Sequence, residues 1–220
     1  MDADVVGHYL DAVVFLVREL VAHGRGGILI ISPDEHPPVA ESASYRMVLD
    51  FSLGALLRLA YRIRGKDHGA KRSVLSRGGS GPATDGDARS EHITFGALLR
   101  SAFLNEAERV IEELGRLTAI DGAVLLSRSL ALVAFGVILP VRQQVGVVTA
   151  TTRETRHDLR YDDLGSHGTR HRAAATYAAE HPGSVVFIAS EDGHVSCLLR
   201  EHSDTPVRLW RLMSDAAHRD

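Results

Sequence analysis

Apolar residues recur at two spacings along the chain, and these predict both helices and strands. Over Leu10–Val21, and again from about Tyr45 to Ile63, they repeat every three to four residues, as in a helix with one buried face. The β-branched run Ile28–Ile31 is typical of a buried strand. Gly24 ends the first helical run, and Gly26-Gly27 lead into the strand. The chain is therefore predicted to open with a helix followed by a strand.

The segment Arg64–Glu91 contains charged residues and glycine but almost no apolar residues. Because it has little to bury, it is predicted to be a flexible loop. Its glycines at Gly78–Pro82 do not form a Walker loop, since no Gly-Lys-Ser/Thr closes them. A second helical region follows, in which Asn105 is expected to cap a helix with Glu106 in its first turn. These helices and the loop would form a helical insertion after the first strand.

The second half of the chain alternates between short apolar runs and one Ala-rich segment. The Ala-rich segment predicts a helix from about Thr169 to Glu180, ended by His181-Pro182-Gly183. Glu191-Asp192-Gly193 is a hairpin turn signal, and a terminal helix is predicted from near Pro206 with Trp210 on its buried face. This mixed order predicts an α/β fold in which helices flank a single mixed central sheet. The predicted strands are Ile120–Leu126, Leu130–Leu139, Val145–Ala150, Ser184–Ala189 and His194–Leu199.

Composition narrows the class of protein. The chain has 220 residues, 45% of them hydrophobic, and a net charge of -3, which indicates one domain (1–220) and argues against nucleic-acid binding by bulk charge. Cys197 is the only cysteine, so no intrachain disulfide is possible, and its apolar neighbours predict a core thiol. The acidic start, Met1–Asp4, is unlike a signal peptide, and Leu130–Leu139 is too short to cross a membrane. We expect a soluble cytoplasmic protein without a membrane partner.

A basic cluster stands where the Ala-rich helix should begin, in Gly168-Thr169-Arg170-His171-Arg172. Cations at a helix N-terminus oppose the helix dipole by roughly 0.3–1 kcal/mol each, so their clustering favours a bound anion, most naturally a phosphate. Arg170 and Arg172 are two residues apart and are expected to contact different partners. A solvated basic surface is the alternative.

Two further polar segments interrupt the apolar runs. Asp121-Gly122-Ala123 precedes a strand and suits a metal ligand or a base beside phosphate, although Asp-Gly is also a common turn. Ser190-Glu191-Asp192 follows a strand and can offer a hydroxyl and carboxylates to a divalent ion, although alone it reads as a hairpin turn.

Together and in this order, the Asp-Gly-Ala and Gly-Thr-Arg-His-Arg motifs resemble the diadenylate cyclase domain of DisA and of membrane-linked CdaA-type enzymes. Ile120 stands before the Asp-Gly-Ala motif, and an apolar residue there is usual in the DisA branch. The resemblance is best over 23–32 and 118–200 and weak over 33–117. It implies a nucleotidyltransferase that makes the second messenger cyclic di-AMP from two ATP, with Mg²⁺ or Mn²⁺ as cofactor, in a homodimer or higher homo-oligomer. No direct nucleic-acid binding is expected.

The resemblance also implies roles for individual residues. Asp121 would bind the metal and help to activate the ribose 3′-hydroxyl, and Glu191 would lie near the metal. Arg170 and His171 would hold the triphosphate with Thr169, and Arg172 would brace their turn. The remaining nucleotide-binding residues implied are Gly122, Ala123, Leu139, Gly168 and Ser190.

Two other functions stay open from the sequence. The long insertion after the first strand is compatible with a domain that senses ATP or cyclic di-AMP without catalysis. A phosphate-handling α/β enzyme of another type would be favoured if Asp121 and Arg170 were far apart in space.

Overall fold

A computed structural model describes residues 3–22, 24–37, 43–46, 53–60, 86–118, 120–142, 145–150, 160–162, 164 and 167–213. Its helices are α1 (Ala3–Ala22), α2 (53–60), α3 (Gly86–Leu117) and α4 (Thr169–Glu180). Its strands are β1 (Gly27–Ile31), β2 (Ala43–Arg46), β3 (Ala123–Leu126), β4 (Leu132–Val137), β5 (Val147–Thr149), β6 (Arg160–Asp162), β7 (Val185–Ala189), β8 (Val195–Leu199) and β9 (Val207–Met213).

The described strands form one mixed sheet in the order β2-β4-β3-β1-β7-β8-β9-β5-β6. Strand β1 lies in the middle, parallel to β3 and antiparallel to β7. Strands β5 and β9 form a second parallel pair, and the other pairs are antiparallel. The predicted α/β fold with a single mixed sheet is therefore confirmed.

Helices cover both faces of the sheet, so successive residues of the central strands are buried on opposite sides. On one face Leu29 and Ile31 pack in a cluster with residues of α1, α2 and α3. On the other face Ile28 and Ile30 pack against the alanines of α4. All five residues of β1 are buried, which explains why its sequence is continuously apolar.

Small side chains let α4 lie close to the sheet. Ala174, Ala175 and Ala178 are fully buried in the cluster that α4 shares with the sheet. Helix α4 begins at the end of the sheet where β1 begins. The evidence is that the guanidinium of Arg170, in the first turn of α4, lies beside Gly26, the residue before β1. The basic cluster is therefore held at one end of the sheet by a short, rigid helix.

Several elements differ from the sequence predictions. The predicted terminal helix is wrong: residues Val207–Met213 form strand β9, which pairs with β8. Val207 and Leu209 are buried while Arg208 between them is partly exposed, and this period of two is that of a strand. The spacing of the apolar residues alone also fits a helix, and the pairing with the edge of β8 is what makes this segment a strand.

The insertion also differs in detail. Asn105 caps no helix, because α3 runs without a break from Gly86 to Leu117 and Asn105 lies within it. Residues 86–91 of the predicted loop are helical, whereas 64–85 lie outside the described residues. The helix predicted from Tyr45 is wrong at its start, since β2 pairs with β4 there, and among the described residues only 53–60 of that range are helical.

In the part of the chain that the structure describes, no helix has the length and apolar character needed to cross a membrane.

Candidate nucleotide-binding site

Strand register brings the three polar segments to one end of the sheet, which we call the Asp121 end. Gly27 of β1 pairs with Ala189 of β7, and Ile28 pairs with Ala123 of β3. The residues before β3 and after β7 therefore lie on either side of the start of β1. Neighbouring strands are about 4.8 Å apart, so β3 and β7 are separated by about 10 Å.

Asp121 is exposed at this end, two residues before the first residue of β3. Its neighbour Gly122 has φ +108, and a Cβ on Gly122 would lie 2.7 Å from the carbonyl carbon of Gly136. Gly136 itself has φ +63, in a stretch where the β3–β4 register is irregular. The Asp121 backbone is thus fixed by contact between two glycines. The nucleotide-binding role that the family resemblance implies for Gly122 stays a prediction, and the structure adds that Gly122 packs on β4.

Helix α4 brings its N-terminus to the same end. No side chain caps this terminus, and its first turn contains no acidic residue. Arg170 Nη1 donates a hydrogen bond to Glu191 Oε1 at 3.2 Å, and the side chains are 42% and 74% exposed. Exposed ion pairs of this kind contribute about 0–1 kcal/mol, so an anionic ligand can replace Glu191 as the partner of Arg170 at small cost.

Arg172 contacts a different partner from Arg170, as their spacing predicted. Its Nη2 donates a long hydrogen bond of 3.4 Å to Thr169 Oγ1, within the first turn of α4. The His171 ring lies 4.9 Å from the His167 ring, measured between centroids. Thr169, Arg170, His171 and Arg172 therefore all belong to the first turn of α4, where backbone and side-chain donors are concentrated.

The turn after β7 is a hairpin, as predicted. The Ser190 N–H donates to the His194 carbonyl at 2.9 Å, and Gly193 adopts φ +83. Asp192 is used within this turn, since His194 Nδ1 lies 3.1 Å from its Oδ2. Desolvation is the largest single influence and raises the pKa of Asp192, but the hydrogen bonds and the charge of His194 together outweigh it and hold the pKa below its usual value. Both carboxylates of this turn thus have a partner in the structure, His194 for Asp192 and Arg170 for Glu191.

The other predicted binding residues lie around the Asp121 end as well. Ala123 pairs with Val137 at the end of β4, and Leu139 follows two residues later. The side chains of Ala123 and Leu139 are buried in the cluster beneath α4, whereas Ile138 is 67% exposed. Gly168 is the N-cap of α4, and no atom of the described residues lies within 4 Å of a Cβ built on it. The structure thus brings all eleven predicted site residues to one end of the sheet and the helix terminus beside it.

The donors present suit a divalent metal bound together with a nucleotide. Among the described residues there is no group of three or more His, Cys, Asp or Glu side chains that can hold a metal ion. Mg²⁺, however, commonly takes only one or two carboxylates and completes its coordination with phosphate oxygens and water. Exposed Asp121 fits this requirement, and Glu191 fits it only if its contact with Arg170 is shared or given up.

Comparison with known proteins identifies the family of the chain. The family model described as DisA bacterial checkpoint controller nucleotide-binding matches residues 89–203, more than half of the chain. The chain belongs to this family. Comparison with curated proteins gives no significant match. The family match begins within α3, in a region where the motif resemblance was weak, and includes the strands that run from β3 to β8 in chain order.

Two glycines at the Asp121 end were missed by sequence reasoning. Gly136 lay inside one long predicted strand, where a lone glycine signals a bulge or a close backbone approach. Gly26 was treated only as part of the lead into β1, although three glycines within Gly24–Gly27 are a signal of unusual backbone conformation. Gly26 contacts the Arg170 guanidinium.

Proposed function

We propose that the protein is a diadenylate cyclase, which condenses two ATP molecules into cyclic di-AMP and two pyrophosphates. The observation that supports this most directly is the convergence of Asp121, Arg170 and the Ser190–Glu191 turn at one end of the sheet. Membership of the nucleotide-binding family supports ATP as the ligand. Each group then has a separate task along the nucleotide.

In the proposed reaction, the 3′-hydroxyl oxygen of one ATP forms a bond to the α-phosphorus of the other. The bond from that phosphorus to the oxygen bridging to the β-phosphate breaks, and pyrophosphate leaves. The hydroxyl proton passes to the Asp121 carboxylate or through it to solvent. A second transfer in the reciprocal direction closes the ring.

The negative charge of the phosphates is the main obstacle to this attack, and the residues at the N-terminus of α4 would offset that charge. Arg170, His171, Thr169 and the backbone N–H groups of the helix start would bind the triphosphate, with Arg172 bracing Thr169. Ser190 would donate a hydroxyl to phosphate. Leu139 and the backbone around it would border the adenine.

Asp121, and Glu191 where it leaves Arg170, would hold a divalent ion, Mg²⁺ or Mn²⁺. Bound there, such an ion supplies Lewis-acid stabilisation of the phosphoryl charge and lowers the pKa of the attacking hydroxyl. Because the reaction joins two nucleotides, one chain supplies half of the reacting pair. We therefore propose that two copies meet through their Asp121 ends.

The test is product analysis of purified protein with ATP and Mg²⁺ or Mn²⁺, by mass spectrometry, for wild type and Asp121→Asn. Cyclic di-AMP is expected from wild type, and the variant is expected to lose about 10²–10³-fold in rate, as when one preorganised polar group is removed. Asp204→Asn is the matched control, because Asp204 is exposed on the loop after β8, at the opposite end of the sheet. Equal rates for the two variants would contradict the role of Asp121.

A second candidate is a sensor that binds ATP or cyclic di-AMP without catalysis. The contact between Glu191 and Arg170 favours it, because that carboxylate is then not committed to a metal. ATP binding by wild type with no cyclic di-AMP formed, at any protein concentration and with either metal, would leave the sensor as the function.

A further inference from the structure

The Arg170 guanidinium occupies the space next to Gly26 that a side chain at position 26 would need. A Cβ built on Gly26 would lie 2.7 Å from Arg170 Nη1 and 3.4 Å from its Cζ. The same Cβ would lie 2.9 Å from the carbonyl oxygen of Ala189, the last residue of β7. Gly26 thus leaves free the space that the arginine occupies, at the junction of β1, β7 and the start of α4.

We propose that Gly26 is a positioning residue, whose missing side chain seats the Arg170 guanidinium for a nucleotide triphosphate at the Asp121 end. This inference rests on the proposed nucleotide-binding function, and it concerns Gly26, which the motifs do not include.

The contacts of Arg170 on both sides explain why this space matters. Gly26 lies against Nη1 and Cζ, while Glu191 accepts a hydrogen bond from the same Nη1. A methyl group at position 26 would have to displace the guanidinium, or move the end of β7 that leads into Ser190 and Glu191. Either shift moves the phosphate donors, and binding and catalytic groups tolerate displacements of only about 0.5 Å.

The chain contains a matched control for the backbone conformation. Gly26 has φ +66 and Gly24 has φ +63, so alanine at either position suffers nearly the same backbone strain. Among the residues that the structure describes, nothing lies within 4 Å of a Cβ built on Gly24. The difference between Gly26→Ala and Gly24→Ala therefore isolates the contacts at position 26 from the cost of a positive φ.

The experiment measures ATP affinity by calorimetry for wild type, Gly26→Ala, Gly24→Ala, Arg170→Ala and the double variant Gly26→Ala/Arg170→Ala. Gly26→Ala is expected to weaken binding about tenfold or more, the loss typical of one charge-assisted hydrogen bond. Gly24→Ala is expected to bind like wild type. The double variant is expected to bind no more weakly than Arg170→Ala, because position 26 acts through the arginine.

A second measurement separates this proposal from the proposed function. The Arg170 Nε–Hε NMR signal, assigned by its loss in Arg170→Lys, is expected to shift in Gly26→Ala and to stay in place in Gly24→Ala. If wild type fails to bind ATP, the proposed function is rejected, and the NMR signal alone decides the role of Gly26. Wild-type affinity in Gly26→Ala, independent losses in the double variant, or an unmoved Arg170 signal would each overturn the positioning role.

Discussion

Gly122→Ala is the substitution whose effect the structure defines best. The new methyl group would lie 2.7 Å from the Gly136 carbonyl carbon, 2.9 Å from the Gly136 Cα and 2.9 Å from the Val137 nitrogen. All three are backbone atoms of β4, so no side-chain rotation relieves the contact. Alanine would also have to adopt φ +108, a region that L-residues rarely enter.

These two effects allow a magnitude. Holding a non-glycine residue in a sparsely populated backbone region costs about 1–3 kcal/mol, and overpacking a tight interior contact costs about another 1–3 kcal/mol. At about 2–4 °C per kcal/mol for a chain of this size, even the lower bound of about 2 kcal/mol lowers Tm by about 4–8 °C. The Asp121 carboxylate would move with its backbone, so we expect cyclic di-AMP formation to fall even at temperatures where the variant is folded.

The assay is thermal unfolding followed by circular dichroism, with Gly146→Ala as the control. No atom of the described part of the chain lies within 4 Å of a Cβ built on Gly146, and its φ lies outside the positive range, so its alanine variant should stay within about 0.5 kcal/mol of wild type. If Gly122→Ala unfolds at the same temperature as Gly146→Ala, the close approach of β3 to β4 is not a constraint on the fold, and the reasoning fails.

Three other predictions follow from single residues. Gly168→Ala should change Tm little, because Gly168 has φ -65 and no described residue lies within 4 Å of a built Cβ. The same substitution should weaken ATP binding if the nucleotide approaches this backbone. Unchanged affinity would remove Gly168 from the site. Burial raises the pKa of the Cys197 thiol to about 12, so a thiol reagent at pH 8 should label it only after denaturation, and rapid labelling of the folded protein would contradict its burial. Burial, with a contribution from the Asp34 carboxylate, raises the pKa of Tyr177 from 10.0 to about 12. Because the folded-state pKa lies above the unfolded one, stability present below pH 10 is lost as the pH rises towards 12; Tyr177→Phe should reduce this loss in urea unfolding, and an identical pH profile would contradict it.

Sequence alone predicted the central strands and α4 well, because their signals are local and agree with one another. The helix predicted over Thr169–Glu180 has the bounds of α4, since a glycine lead and an alanine run leave little choice. The segment Val207–Met213 failed for the opposite reason. Its apolar residues fit both periods, and only the free edge of β8, a feature of the assembled sheet, makes it a strand.

The residues of the candidate site divide in the same way into those that the sequence predicts and those that it does not. The chemical side chains, Asp121 and Arg170 above all, stood out because polar residues interrupt apolar runs. Their supports, Gly26 and Gly136, did not, because a missing side chain has meaning only once the neighbouring atom is known. The Arg170–Glu191 contact likewise joins residues on two elements whose proximity depends on how α4 lies across the sheet.

Strand β1 lies in the middle of the sheet but outside residues 89–203, the span that marks the family. A fragment trimmed to that span would keep β3 and β7 yet lose the strand that joins them. Two apolar strand edges would then face each other across a gap one strand wide, which is a template for aggregation. A fragment made for biochemistry must therefore retain Gly27–Ile31, and the chain as a whole can complete its sheet only once β1 and β3, which are far apart in sequence, have paired.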